Sequence, residues 1–139
     1  MRFFRPAAKL AEVNRTALES LASAGLEARA ESLASALSHG EQRQLEIAMT
    51  LATHPKLLLL DEPLAGMGAD ESSSMVALLK KLVQTHAILL VEHDMDAVFA
   101  LADRLTVMVD GQVLASGSPA EIRANAEVQV AYLGESRGG

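Results

Sequence analysis

The sequence predicts an α/β fold, a mostly parallel sheet with flanking helices, on three observations. The run Leu57-Leu58-Leu59-Leu60 cannot alternate between inside and outside, so it reads as a strand buried on both faces, as in a parallel sheet covered by helices. Ala87-Ile88-Leu89-Leu90-Val91 repeats that pattern. Between them, residues from Asp70 to about Gln84 are acidic at the start (Asp70, Glu71) and carry Lys80 and Lys81 near the end, the charge order a helix dipole favours. A strand–helix–strand unit with a right-handed crossover makes the two strands parallel and brings their carboxyl ends to one edge.

The remaining elements follow from local signals. Residues Ala7 to Ala24 are rich in Ala, Leu, Glu and Arg, and Leu10, Val13, Ala17, Leu18 and Leu21 recur at helical spacing, with Gly25 placed to cap the end. Leu26 to Ala36 reads as a second, Ala-rich helix, giving a helical hairpin over residues 1–36 ahead of an α/β part over 37–139. Ser38 followed by Glu41 is a capping box, so a helix begins there, with Ile47, Ala48, Leu51 and Ala52 as its apolar stripe. Gly40 in its first turn costs roughly 1 kcal/mol relative to alanine, which makes sense if another group must approach the backbone closely. Leu64 to Ala69, with Gly66 and Gly68, reads as a tight loop. Asp94 is placed to cap a helix from Met95 to Ala102. Leu105 to Val109 and Gln112 to Ala115 form a hairpin around Asp110-Gly111. Ser118-Pro119-Ala120-Glu121 opens a short helix to about Asn125, Val128 to Leu133 is a last amphipathic segment, and Gly134 to Gly139 is expected to fray.

Composition narrows the functional classes. The chain has 139 residues, enough for one domain with a modest core. Net charge is −6 with Lys and Arg dispersed, which argues against a nucleic-acid surface. The absence of cysteine excludes a disulfide framework and a thiolate metal site. Met1 to Pro6 lacks the apolar run of a secretory signal, and the longest apolar runs are far too short to span a bilayer. Any membrane role must come through a partner.

The chemistry concentrates at two strand ends. Pro63 has no N–H and ends the ladder, so Asp61 and Glu62 emerge at the carboxyl end of the strand, the edge where open α/β sheets bind ligands. Two acids on so apolar a strand suit a magnesium–phosphate site, one holding the metal through water and the next handling the attacking water. Glu92-His93-Asp94 ends the second strand, so His93 shares that edge with Glu62. The helix start at Ser38 adds free N–H groups and a positive dipole end, an anion seat. Each feature alone has an ordinary explanation, in a capped helix, a solvated turn or a loop histidine. Their order along the chain is what points to a nucleotide.

That ordered set resembles the C-terminal part of an ATP-binding cassette (ABC) ATPase. Leu37-Ser38-His39-Gly40-Glu41-Gln42 resembles the signature LSGGQ, Leu57 to Pro63 the Walker B strand with its following glutamate, Gly66 to Asp70 the D-loop, and Leu90 to Asp94 the switch-histidine segment. Leu45-Glu46-Ile47-Ala48, Ala65-Gly66-Met67 and Ala131-Tyr132-Leu133-Gly134-Glu135 are similar to the ATPases of branched-chain amino-acid importers. The resemblance implies a partial P-loop NTPase fold, with residues 1–36 a helical-subdomain remnant. It implies ATP and Mg2+ as ligands. Asp61 would hold the metal through water, and Glu62 and His93 would be catalytic. Ser38, His39, Gly40, Glu41 and Gln42 would meet ATP held by a second ATPase subunit, and Gly66, Met67 and Gly68 would form the D-loop. The implied partners are that second subunit, transmembrane permease subunits and, indirectly, a solute-binding protein, with no nucleic acid, at the cytoplasmic face of the inner membrane.

The sequence departs from the family pattern where His39 replaces the first signature glycine, Glu41 stands in place of glutamine and Gly68 in place of the D-loop aspartate. It contains no G-x-x-x-x-G-K-[ST] loop, and Phe3, Phe4 and Tyr132 do not occupy the place of the adenine-stacking aromatic. The expectation is therefore a fragment of a cassette, such as a truncated gene product or partial reading frame, that alone neither binds ATP tightly nor hydrolyses it. Two alternatives are a non-catalytic fragment docking on a complete ATPase, and a soluble cassette ATPase of DNA metabolism, which the acidic balance disfavours.

Overall fold

A computed structural model describes the backbone of residues 7–135 and the side chains of residues 10–131. Phe3, Phe4, the Tyr132 side chain and the end of the Gly134–Gly139 segment lie outside the described residues. The chain divides into two compact units, residues 1–94 and 95–139.

In the first unit, α1 (Ala7–Ser23), α2 (His39–Leu51), β1 (Leu57–Asp61), α3 (Ala69–Leu82) and β2 (Ala87–Val91) follow in order. Helix α1 ends as expected at Gly25, whose φ of +79° turns the chain. The Leu26 N–H bonds the Leu21 carbonyl at 2.8 Å and the Gly25 N–H bonds Ala22 at 3.1 Å, a Schellman closure. The stripe expected on α1 is not buried: Leu10, Val13 and Leu18 are exposed, whereas Ser20, Ala24 and Leu26 are buried at its C-terminal end.

The second helix expected over Leu26 to Ala36 is absent. Only single 3₁₀ turns form, at Glu27–Arg29 and Ala34–Ala36, and neither buries a residue. Isolated helices below roughly 12–15 residues are marginal in water, and of the apolar spacing Leu26, Ala30 and Leu33 only Leu26 is buried, Leu33 being exposed. The segment is instead folded back by Arg29, which donates to the Ala36 carbonyl at 3.3 Å and pairs with Glu41 at 2.9 Å.

β1 and β2 pair in parallel, Leu57 opposite Ala87 through Asp61 opposite Val91, with α3 as the crossover. The core of this unit draws on Ile47, Ala48 and Leu51 of α2, Leu58 of β1, and Met75, Leu78, Leu79 and Leu82 of α3. The leucine run is a strand, but it is not buried on both faces. Leu58 is 1% exposed, whereas Leu57, Leu59, Leu89 and Val91 are 51–67% exposed. The parallel register puts those four on one face, and within this two-stranded sheet that face is left open.

In the second unit, α4 (Met95–Leu101) precedes the antiparallel hairpin β3 (Leu105–Val109) and β4 (Gln112–Gly117), then α5 (Pro119–Ala124) and α6 (Ala126–Glu135). Asp110 and Gly111 take φ of +50° and +76°, the positive values a type I′ turn needs. Leu105, Ile122 and Val128 form the core, with Val98, Phe99 and Val107 against it, and the Arg123 guanidinium lies 4.3 Å from the centre of the Phe99 ring.

Candidate functional site

The two strand ends converge as their sequence implies. Asp61 is the last residue of β1, and the Glu62 N–H continues the ladder by donating to the Val91 carbonyl at 2.8 Å. Glu62 then takes a φ of +45°. The right-handed helical region is disfavoured for a residue before proline, and a left-handed conformation costs a side-chain-bearing residue on the order of 1–3 kcal/mol. The turn is held by the Ala65 N–H on the Glu62 carbonyl at 3.1 Å. It leaves the Glu62 carboxylate 3.4 Å from Nδ1 of His93, both side chains open to solvent.

Glu92 braces this edge through backbone donors on both loops. Its Oε1 accepts from the Leu64 N–H at 3.0 Å, and its Oε2 from the N–H groups of His93 at 3.1 Å and Asp94 at 3.4 Å. One carboxylate thus ties the loop after β1 to the loop after β2.

The second cluster surrounds the start of α2. Ser38 is the N-cap, with both halves of the capping box formed: its Oγ accepts from the Glu41 N–H at 3.2 Å, and Glu41 Oε2 accepts from the Ser38 N–H at 2.8 Å. The close approach that Gly40 anticipates comes from Glu71 of α3. Its Oε1 accepts from Ser38 Oγ at 2.9 Å and from the Gly40 N–H at 3.1 Å. These two donors, with Ser38 first, hold the Glu71 carboxyl below the usual glutamate range. His39 Nε2 lies 3.1 Å from the Ala65 carbonyl, packed at Gly66, and Gln42 Nε2 donates to the Leu37 carbonyl at 3.2 Å. The 62–68 loop therefore touches both clusters, Leu64 through Glu92 and Ala65 through His39.

Residues 5–65 match the family model for the ABC transporter, and residues 112–137 match that for the branched-chain amino acid ATP-binding cassette transporter. The chain belongs to the ABC transporter ATPase family. It is 46% identical over 114 residues to the high-affinity branched-chain amino acid transport ATP-binding protein LivG of Salmonella typhimurium, covering 81% of this chain and 45% of that protein. It is 45% identical over 105 residues to BraF of Pseudomonas aeruginosa, covering 74% of this chain and 41% of BraF. The ADP conformation of MJ1267, an ATP-binding cassette of an ABC transporter, superposes with a TM-score of 0.77 at 28% identity over 88% of this chain and 50% of that one. The chain thus spans less than half the length of the curated relatives it matches.

ABC ATPases bind ATP, typically with Mg2+. Mg2+ is usually bound by one or two carboxylates, waters and nucleotide phosphates. Asp61, exposed at the sheet edge, fits the single-carboxylate role, and among the described residues no group of three acidic or imidazole side chains forms a complete cage.

Two site residues escape a reading of the sequence alone, Glu71 and Arg29; Glu92 is read there only as the neighbour of His93, without its bonds to the Leu64, His93 and Asp94 N–H groups. Arg29 and Glu71 act across 12 and 33 residues, where no local spacing signals the contact.

Proposed function

We propose that this chain is the signature- and Walker B-bearing part of the ATP-binding subunit of an importer for branched-chain amino acids. The observation that carries the reading is the Glu62 carboxylate beside His93 at the carboxyl edge of two parallel strands. Glu62 orients or deprotonates the water that attacks the γ-phosphate, and His93 contacts that phosphate. Catalysis of this kind is positioning plus electrostatics. Asp61 would hold Mg2+ through water, and the metal would supply positive charge against the phosphates. Ser38, His39, Gly40, Glu41 and Gln42 face ATP on a second ATPase subunit, and Gly66, Met67 and Gly68 form the D-loop at that junction. Residues 1–36 are assigned to the helical subdomain and 37–139 to the signature helix and α/β part. Permease subunits at the cytoplasmic face of the inner membrane, served by a solute-binding protein, complete the system. The open Leu57, Leu59, Leu89 and Val91 face is the surface that helices or a further layer of a complete cassette would cover, further strands adding at the sheet's edges.

The test is Glu62→Gln in a complete, reconstituted cassette containing this sequence. ATP hydrolysis is expected to fall at least about a hundredfold while ATP binding persists, the loss typical of a positioned base. Unchanged hydrolysis would refute the assignment. The absence of a G-x-x-x-x-G-K-[ST] loop in this sequence supports a further part of the reading: the chain alone does not bind ATP tightly. ATP-dependent thermal stabilisation of the isolated chain, abolished by chelating magnesium, would contradict it. The same absence favours a second reading, a non-catalytic segment that docks on a complete ATPase and offers only its signature helix. In that case Glu62→Gln leaves hydrolysis unchanged.

A further inference from the structure

We infer that Glu71 is a positioning residue of the signature helix: its carboxylate occupies the seat a phosphate oxygen takes on Ser38 and Gly40, and yields it when phosphate arrives. The inference rests on the proposed nucleotide-facing role of that helix start. Its first support is the donor set. Oε1 of Glu71 takes the Ser38 hydroxyl at 2.9 Å and the Gly40 N–H at 3.1 Å, so a single anionic oxygen uses both a side-chain and a backbone donor of the helix start. Its second support is fit. A Cβ at residue 40 would lie 3.0 Å from both Cδ and Oε1 of Glu71, so glycine gives the carboxylate this approach without the displacement that a side chain would require. Its third support is room. A cavity of about 240 Å³ opens beside the carboxylate, bordered by Ser38, Gly40, Gln44, Asp70 and Glu71.

Charge decides the consequence. Of the acids on that cavity, Glu41 is answered by Arg29 at 2.9 Å and by the capping box, whereas Asp70 and Glu71 add negative charge where a phosphate would enter. Phosphate and Glu71 cannot hold the same two donors together, and their like charges raise the cost of sharing the space. Glu71 sits in the first turn of α3, directly after the D-loop. Its release therefore uncouples the α3 start from the α2 start at the step when phosphate engages Ser38 and Gly40. While it stays, it keeps both donors pointed at an anion.

Amide NMR of the 139-residue chain reads the seat through the Gly40 N–H, titrated with inorganic phosphate against sodium chloride of equal ionic strength. In Glu71→Ala the Gly40 shift is expected to saturate at a phosphate concentration about tenfold lower than in the wild type, the effect of removing one charge-assisted competitor. Glu71→Gln, which keeps the shape and one acceptor oxygen without the charge, is expected to fall between them. Equal midpoints in wild type and variants overturn the inference, and so does the absence of any saturable Gly40 shift in all of them. Should Glu71→Ala fail to fold, the midpoint of Glu71→Gln against that of the wild type decides the same question. Hydrolysis is not part of this readout, so a failure of the Glu62→Gln assay and a failure of the amide titration are separate results.

Discussion

Two helices in this chain begin with the same sequence device, and they use it differently. Ser118 and Glu121 open α5, and Ser38 and Glu41 open α2, each with both halves of a capping box formed. In the α5 box the Ser118 hydroxyl donates to its own partner, Glu121 Oε2, at 2.8 Å, and the Ser118 N–H reaches the same oxygen at 2.7 Å. Every hydrogen bond of that box stays within four residues of chain. In the α2 box the Ser38 hydroxyl turns away from Glu41 to Glu71, 33 residues on, while Glu41 reaches back to Arg29, 12 residues before it. The α5 box only starts a helix. The α2 box starts a helix and also joins the 3₁₀ turn at Glu27–Arg29, the signature and α3. The motif supplies the donors; the tertiary neighbour decides whether they serve local structure or a site.

The largest expected effect follows from that difference. Ser118→Ala removes a local cap and should cost about 1 kcal/mol, the usual value for such a loss. Ser38→Ala should cost more, because it removes a cap and also a donor to the Glu71 carboxylate. Urea unfolding, with amide exchange followed separately in α2 and α5, checks both. Equal losses would show that the link to Glu71 adds nothing to the box.

A double-mutant cycle sharpens the same point with a smaller quantity. Ser38→Ala and Glu71→Ala share a bond and should be clearly non-additive, whereas Ser118→Ala and Glu71→Ala share no partner and should add within about 0.5 kcal/mol. Non-additivity in the second pair would break the picture of a self-contained α5 box.

How much of this was legible in the sequence depends on how far each interaction reaches. Strand β1, its parallel mate, the Asp110-Gly111 turn and both capping boxes are written in stretches of a few residues, and the structure has them. The meeting of Glu62 and His93 was also legible, because the crossover rule turns two local strands into one shared edge. What could not be read was burial and tertiary pairing. Leu57 and Leu59 carry the composition of an interior strand, yet their face is open, since burial depends on what else lies against the sheet. Leu26 to Ala36 has helical composition, but Arg29 is committed to Ala36 and Glu41 and the segment bends back. The purpose of Gly40 was read as close approach, and the approaching group, Glu71, was identifiable only in three dimensions.

Acid provides the next contrast. Glu71 is held below the usual glutamate range chiefly by the Ser38 hydroxyl, and Glu121 chiefly by the Ser118 N–H. A carboxyl whose folded pKa is depressed binds its proton more readily when unfolded. Its stabilisation is therefore complete above the unfolded value, roughly 4.3, and is lost as pH falls through the lower folded value. Both units should weaken on acidification below that point. Glu71→Gln should flatten the acid limb of α2 amide protection and leave that of α5 unchanged. A change in α5 would mean that the two carboxylates do not titrate independently.

The smallest expected effect concerns Gly68, the N-cap of α3, which stands where the family carries aspartate. Its φ of −72° is open to any residue, and a Cβ there would meet nothing within 4 Å. No steric reason therefore keeps glycine at this position. Aspartate caps better than glycine by only a few tenths of a kcal/mol. The gain is offset here because Asp70 and Glu71 already place two like charges in the same first turn. Gly68→Asp should thus leave the urea midpoint nearly unchanged, unlike either serine substitution. A marked stabilisation would show that the α3 start is undercapped and that repulsion from Asp70 and Glu71 does not oppose a third acid there.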